Sequence, residues 1–179
     1  SAASDVYKRQ MYLRATTNVL SYWIGRQTGG NFVENNTTSV STWKANGGGN
    51  PGTPGWNYYV IRFNGSNQTS IFLDGVLLNT KTSSDTMNNQ NTDKPTRIGA
   101  GNTNETTPRY WFNGKIDDVA VWDEALTDAE ISALYNSGET LYAKENYGDY
   151  TSKDNLVAYY TMDSDDGAGT TLTLSLIHI

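Results

Sequence analysis

The stretch from Trp111 to Gly138, WFNGKIDDVAVWDEALTDAEISALYNSG, constrains the fold more than any other part of the chain. Asn113-Gly114 is a tight-turn dipeptide, and an alternating run follows it. Ile116, Asp118, Ala120 and Trp122 fall on one face of a strand, and Asp117, Val119 and Val121 on the other. A short helix comes next, predicted over Thr127 to Asn136. Thr127 caps its start, and Glu130, three residues on, reaches back to the cap amide. Leu126 and Ile131 flank the cap as a hydrophobic staple. Ile131, Leu134 and Tyr135 make one apolar stripe, and Gly138 is the expected left-handed stop.

Ahead of this stretch the chain reads as short strands separated by Gly, Asn, Thr and Ser, the pattern of an antiparallel sandwich or barrel. Val19 to Arg26 is one strand, with another near Phe32. Ala45 to Gly55, rich in Gly and Pro, is a surface loop. Trp56 to Phe63 is the clearest strand, with Tyr59, Ile61 and Phe63 on one face and Tyr58, Val60 and Arg62 on the other. Ser70 to Leu73 and Val76 to Asn79 form a hairpin around Asp74-Gly75, a dipeptide that supplies the positive φ angles matching strand twist. Arg97-Ile98-Gly99 is a further short strand.

From Trp56 to Gly138 the order of parts is a tryptophan-led strand, an Asp-Gly hairpin, Arg-Ile-Gly, Asn-Gly-Lys-Ile-Asp-Asp-Val and a terminal helix. This order resembles laminin G-like domains, members of the concanavalin A-like lectin/glucanase superfamily, and more distantly the pentraxins. The resemblance implies an all-β, antiparallel two-sheet jelly-roll sandwich with one short helix, used mostly for binding. The opening strands of a full module are not found ahead of Met11 to Arg26. Asn155 to Asp163 resembles the opening strand of a following module; the alternative is the closing strand of this one. Because the module lacks its own opening strand, and because Asn155 to Asp163 is apolar on both faces, it is predicted to fold back onto the Met11–Gly138 body as a substitute strand. The expected organisation is a sandwich over 11–138, a linker over 139–154, and this strand within 155–173.

The two ends carry a different signal. Asp5 to Gln10 and Leu174 to Ile179 can be encoded by reverse-complementary copies of one DNA sequence, that of a transposon end used as a library adapter. Residues 1–10 and 174–179 are therefore set aside as non-native ends of a metagenomic fragment, and no part in the fold is expected of them.

Composition narrows the partners. The formal net charge is −6, and no basic stripe accompanies the aromatic residues, so neither nucleic acid nor an anionic membrane surface suits this chain. No apolar run approaches the length of a membrane span. Cysteine is absent, which excludes a disulfide scaffold and thiolate chemistry without placing the protein inside a cell.

No catalytic residue is assigned. The single histidine, His178, lies in the excluded end, which removes imidazole-dependent triads. Related glucanases use glutamates spaced along one strand; here no two of Glu34, Glu105, Glu124, Glu130, Glu139 and Glu145 share a strand at such spacing, and Asp117 and Asp118 point to opposite faces. The resemblance also implies a structural calcium, because the matching strand aspartate binds one in related glucanases, and this points to Asp117. A carboxylate satisfied by loop amides is the alternative. For ligands, Trp43 beside the Gly-rich loop, and Tyr110 and Trp111 after the Thr/Asn-rich loop, are the candidates, since an exposed indole or phenol offers an apolar face to a sugar ring. Trp23, Trp56 and Trp122 are expected in the core. Two functions fit: a carbohydrate- or ligand-binding module of a secreted, cell-surface or virion-surface protein, with glycans, surface proteins and neighbouring modules as partners, or a structural spacer of an adhesin or phage tail fibre. Asn36, Asn64, Asn67 and Asn104 begin glycosylation sequons.

Overall fold

A computed structural model of the chain describes residues 9–14, 19–25, 32–39, 56–64, 67–83, 98–101, 109–112, 116–138, 142–162 and 176–177. They are mostly strands in antiparallel ladders, with one short α-helix, as an all-β concanavalin A-like fold requires. The chain forms two compact units, residues 1–112 and 113–179.

In the first unit, β1 (Arg9–Arg14), β2 (Val19–Gly25) and β3 (Phe32–Ser39) make one sheet in sequence order. Arg9 lies opposite Ile24 and Gln10 opposite Trp23. Two residues set aside as non-native are thus part of a ladder, which needs only backbone groups in register and no particular side chains.

The second sheet, β4 (Tyr59–Phe63), β5 (Gln68–Leu73) and β6 (Val76–Thr82), carries the buried apolar side chains described in this unit. From Thr69 to Leu73 every residue of β5 is buried, so both faces of this central strand are covered. Continuous burial explains why Ile71, Phe72 and Leu73 run without alternation. Polar Ser70 is accommodated by pairing its hydroxyl with that of Thr80, 3.0 Å away. The Arg62 guanidinium sits over the Phe72 ring, 4.8 Å from its centroid, a cation–π contact.

The hairpin turn is as the sequence predicts, with Asp74 at φ 50° and Gly75 at φ 77°. Asp74 has a second role. Its amide donates to the Tyr58 carbonyl (2.8 Å) and its Oδ1 accepts from the Tyr58 amide (2.7 Å), tying the turn to the chain that enters β4. At the other end of the hairpin, Asn67 Nδ2 donates to the Ser83 carbonyl (2.9 Å) and its own carbonyl accepts from the Ser83 amide. The Asn67 sequon therefore has its acceptor nitrogen engaged and its Thr69 buried.

A two-stranded ladder completes the described part of the unit. In it β7 (Ala100–Gly101) pairs with β8 (Arg109–Trp111), and the Phe112 amide donates to Gly99, which sits at φ 76°.

In the second unit, β9 (Val119–Trp122), β10 (Leu156–Tyr160) and β11 (Leu176–Ile177) form an antiparallel sheet with β10 central. The expected ladder of the Asn155–Asp163 strand onto the body is found, with Ala120 opposite Tyr159 and Val119 opposite Tyr160. Leu176 and Ile177, set aside as non-native, pair with Tyr159 and Ala158.

Helix α1 (Asp128–Tyr135) has the full capping box: Glu130 N donates to Thr127 Oγ1, and Thr127 N to Glu130 Oε2. Leu126, Ile131 and Leu134 are buried, as the staple and stripe predict. The helix runs between the predicted bounds, with Thr127 and Asn136 as its caps, but the left-handed stop is Asn136 itself (φ 42°, ψ 41°), whose amide donates to the Ser132 carbonyl. Asparagine tolerates this region, so the stop does not wait for Gly138.

The segment read as a linker has three buried residues among those described. Ala143, Tyr150 and Ser152 are buried, the Tyr150 hydroxyl donates to the Ala143 carbonyl (2.6 Å), and Tyr147 and Tyr150 exchange backbone hydrogen bonds. Composition suggested a spacer because the segment is rich in polar residues and tyrosine, and its buried positions, Ala143, Tyr150 and Ser152, follow no strand or helix period.

Candidate functional site

Strand β8 delivers the most exposed aromatic side chain described in the first unit. Trp111 ends that strand, opposite Ala100, with 71% of its surface accessible. Phe112 follows at 51%, its backbone fixed by the bond to Gly99. A ladder on one side and a backbone hydrogen bond on the other hold both backbones, so the two rings are presented from ordered chain. Tyr110 lies in β8, but its side chain is outside the described residues, and so is all of Trp43.

Trp56 corrects the sequence reading. It was expected in the core as the head of a strand, yet 62% of it is exposed. The reason is the start of β4 at Tyr59: Trp56 lies three residues outside the ladder, and the pairing of Tyr58 with Asp74 fixes where the chain enters the sheet. Val76 and Leu77, just after the same hairpin turn, are also exposed. The Pro54-Gly55 step immediately before Trp56 is the sequence signal that places it in a loop.

Trp122 conforms to expectation. It is partly buried, its Nε1 donates to the Tyr150 hydroxyl (2.9 Å), and the two rings meet edge to face with centroids 6.4 Å apart. The Trp23 side chain lies outside the described residues.

The acidic pair is arranged differently from the simple alternation. Asp118 has φ 49°, so regular strand geometry begins only at Val119. Its Oδ1 accepts from the hydroxyl of buried Tyr159 at 2.5 Å. Burial, then the hydrogen bond and negative charge of Asp118, hold the Tyr159 phenol well above its ordinary range. Both aspartates are exposed, and Asp117 Oδ1 accepts the Asp118 amide at 3.1 Å. Val121, placed with Asp117 on one strand face, is exposed as well. No group of three or more His, Cys, Asp or Glu side chains that could hold a metal ion occurs among the described residues. These residues do not by themselves supply the six to eight oxygens calcium takes.

Glu130 is the one carboxylate buried by the helix, at 6% exposure. Burial alone would raise its pKa. Hydrogen bonds from Ser152, from the Thr127 amide and hydroxyl, and from the Thr151 amide outweigh it and bring the group down to about 2. Both oxygens are committed to structural donors, so Glu130 is a fastening group and not a poised acid.

The chain matches the family model described as the concanavalin A-like lectin/glucanases superfamily, laminin G type, over residues 2–132, more than half its length. No curated protein matches it. A solved structure with some likeness is that of residues 221–444 of an S-layer domain-containing protein from Clostridium thermocellum, at 14% identity and a TM-score of 0.39. The match covers 73% of this chain and 64% of that one.

Proposed function

The chain belongs to the concanavalin A-like lectin/glucanase superfamily, and from that membership we propose a non-catalytic module that binds neutral carbohydrate through exposed aromatic side chains of its first unit. The observation that carries this reading is Trp111, largely exposed at the end of a paired strand with Phe112 beside it. A solvent-facing indole on ordered backbone loses little conformational entropy when a sugar ring stacks on it. Trp56 joins Trp111 as a contact, and Trp43 and Tyr110 are retained from the sequence reading. Net negative charge favours neutral over anionic glycans. The family points to a secreted or surface-exposed parent; no helix among the described residues is long and apolar enough to cross a membrane.

A glycan array followed by titration calorimetry tests the proposal. Selective binding, weakened by Trp111→Ala with an unchanged melting temperature, is expected. Binding unaffected by Trp111→Ala would move the site elsewhere, and no binding to any glycan would favour the structural spacer.

A further inference from the structure

The exposure of Trp111 has a cause on the neighbouring strand. The Phe112 amide donates to the Gly99 carbonyl (2.8 Å), which makes residues 99 and 112 a hydrogen-bonded position of the β7–β8 ladder. Ala100 and Trp111, the next pair along, are therefore a non-hydrogen-bonded pair, the kind in which the Cα atoms lie only about 4.5 Å apart and the side chains come closest. Directly opposed residues of an antiparallel pair project from the same face of the ladder. What faces the Trp111 indole across the ladder is thus the single methyl group of Ala100. A methyl group is too small to cover an aromatic ring, and 71% of Trp111 stays accessible. Phe112, one position further on, alternates to the other face and does not cover the indole either.

We propose that Ala100 is the size-determining residue of the Trp111 site: its methyl group leaves the indole face open for the C–H face of one neutral pyranose ring, and a larger side chain at this position takes that space. This deepens the carbohydrate reading and rests on it. A sugar stacks on an aromatic ring only where the ring is clear of its own neighbours. Cross-strand pairs of an aromatic and a larger aliphatic side chain pack against each other, and the contact favours the ladder. Valine or leucine at position 100 would accordingly occupy the indole in the folded protein before any sugar arrives. The substitution adds an apolar contact while it removes a binding surface, so stability and affinity are expected to part company. A residue with a purely structural role would not separate them.

The test uses the whole chain and compares Ala100→Leu and Ala100→Val with Ala100→Ser, which keeps the position small, and with Trp111→Ala. The probes are a panel of neutral oligosaccharides of glucose, galactose and mannose, read by titration calorimetry, and a soluble uncharged nitroxide, which broadens the indole N–H resonance of an accessible tryptophan. Ala100→Leu is expected to weaken the best-bound oligosaccharide by about 10-fold, Ala100→Val by less, and Ala100→Ser by no more than about twofold. The leucine and valine variants should melt no lower than the native protein, with the Trp111 resonance less broadened by the nitroxide. Native affinity in both of them, with Trp111→Ala still abolishing binding, would overturn the role of Ala100 and leave the carbohydrate reading standing. A lowered melting temperature in both would mean that the space beside the indole is already filled, and would overturn the proposal as well. If the native protein binds no member of the panel, the carbohydrate reading itself fails and this proposal fails with it.

Discussion

Glu130 makes acid stability the sharpest quantitative prediction of the structure. Its folded pKa lies at about 2, below the ordinary 4.5, because the hydrogen bonds from Ser152, Thr127 and Thr151 favour the ionised form by more than burial disfavours it. A depressed carboxylate stabilises the fold in full above its unfolded pKa, and loses that contribution as pH falls through 4.5 toward 2. The whole shift corresponds to roughly 3 kcal/mol at most, and partial solvent screening reduces a realistic contribution to about 1–2 kcal/mol. Other carboxylates also titrate in this range, so the assay compares urea unfolding of the native protein and of Glu130→Gln at a series of pH values. The stability gap between them isolates this residue: widest near pH 6, it should narrow steadily toward pH 3. A gap that stays constant across the series would refute the assignment of these hydrogen bonds to an ionised Glu130.

Tyr150→Phe removes the hydroxyl shared by Trp122 Nε1 and the Ala143 carbonyl; a loss of about 2–4 kcal/mol in urea unfolding is expected from stranding both groups, and a double-mutant cycle with Trp122→Phe should show coupling. Asp74→Ala should cost about 1–3 kcal/mol, since it leaves the Tyr58 amide without its acceptor and puts alanine at φ 50°, whereas Asp74→Asn should cost less because asparagine keeps both functions; equal losses for the two would contradict the double role of Asp74. Added calcium should leave the melting temperature unchanged, as should magnesium; a rise with calcium alone would demonstrate a site at Asp117 or elsewhere, because a ligand bound only by the native state must raise apparent stability.

What could be read from the sequence was what local chemistry decides. The helix, its cap and its staple depend on residues within one turn of each other, and Thr127, Glu130, Leu126 and Ile131 behave as their spacing predicts. The Asp74-Gly75 turn is likewise set by its own φ angles. Long-range pairing was not legible in the same way. The Glu130 bonds to Thr151 and Ser152 cross more than twenty positions, so the capping box accounted for only half of that carboxylate and the linker reading did not register its buried residues. Strand faces failed where alternation was interrupted. Left-handed Asp118 breaks the pleat ahead of β9, where Asp118 reaches the buried Tyr159, and Val121 further along the strand is exposed. Trp56 followed the same logic, because tryptophan-led strand patterns do not say at which residue pairing begins. Trp111 was identified as a surface aromatic because it follows a polar loop, and in the structure it is one.

The most direct measurement of the central claim follows the indole N–H resonances of the five tryptophans during titration with a neutral oligosaccharide selected from the glycan array. The Trp111 resonance is expected to shift progressively and saturate, with Trp56 moving alongside it, while Trp122, whose indole is held by the Tyr150 hydroxyl, stays in place. A titration in which bound sugar leaves Trp111 unmoved would contradict the claim.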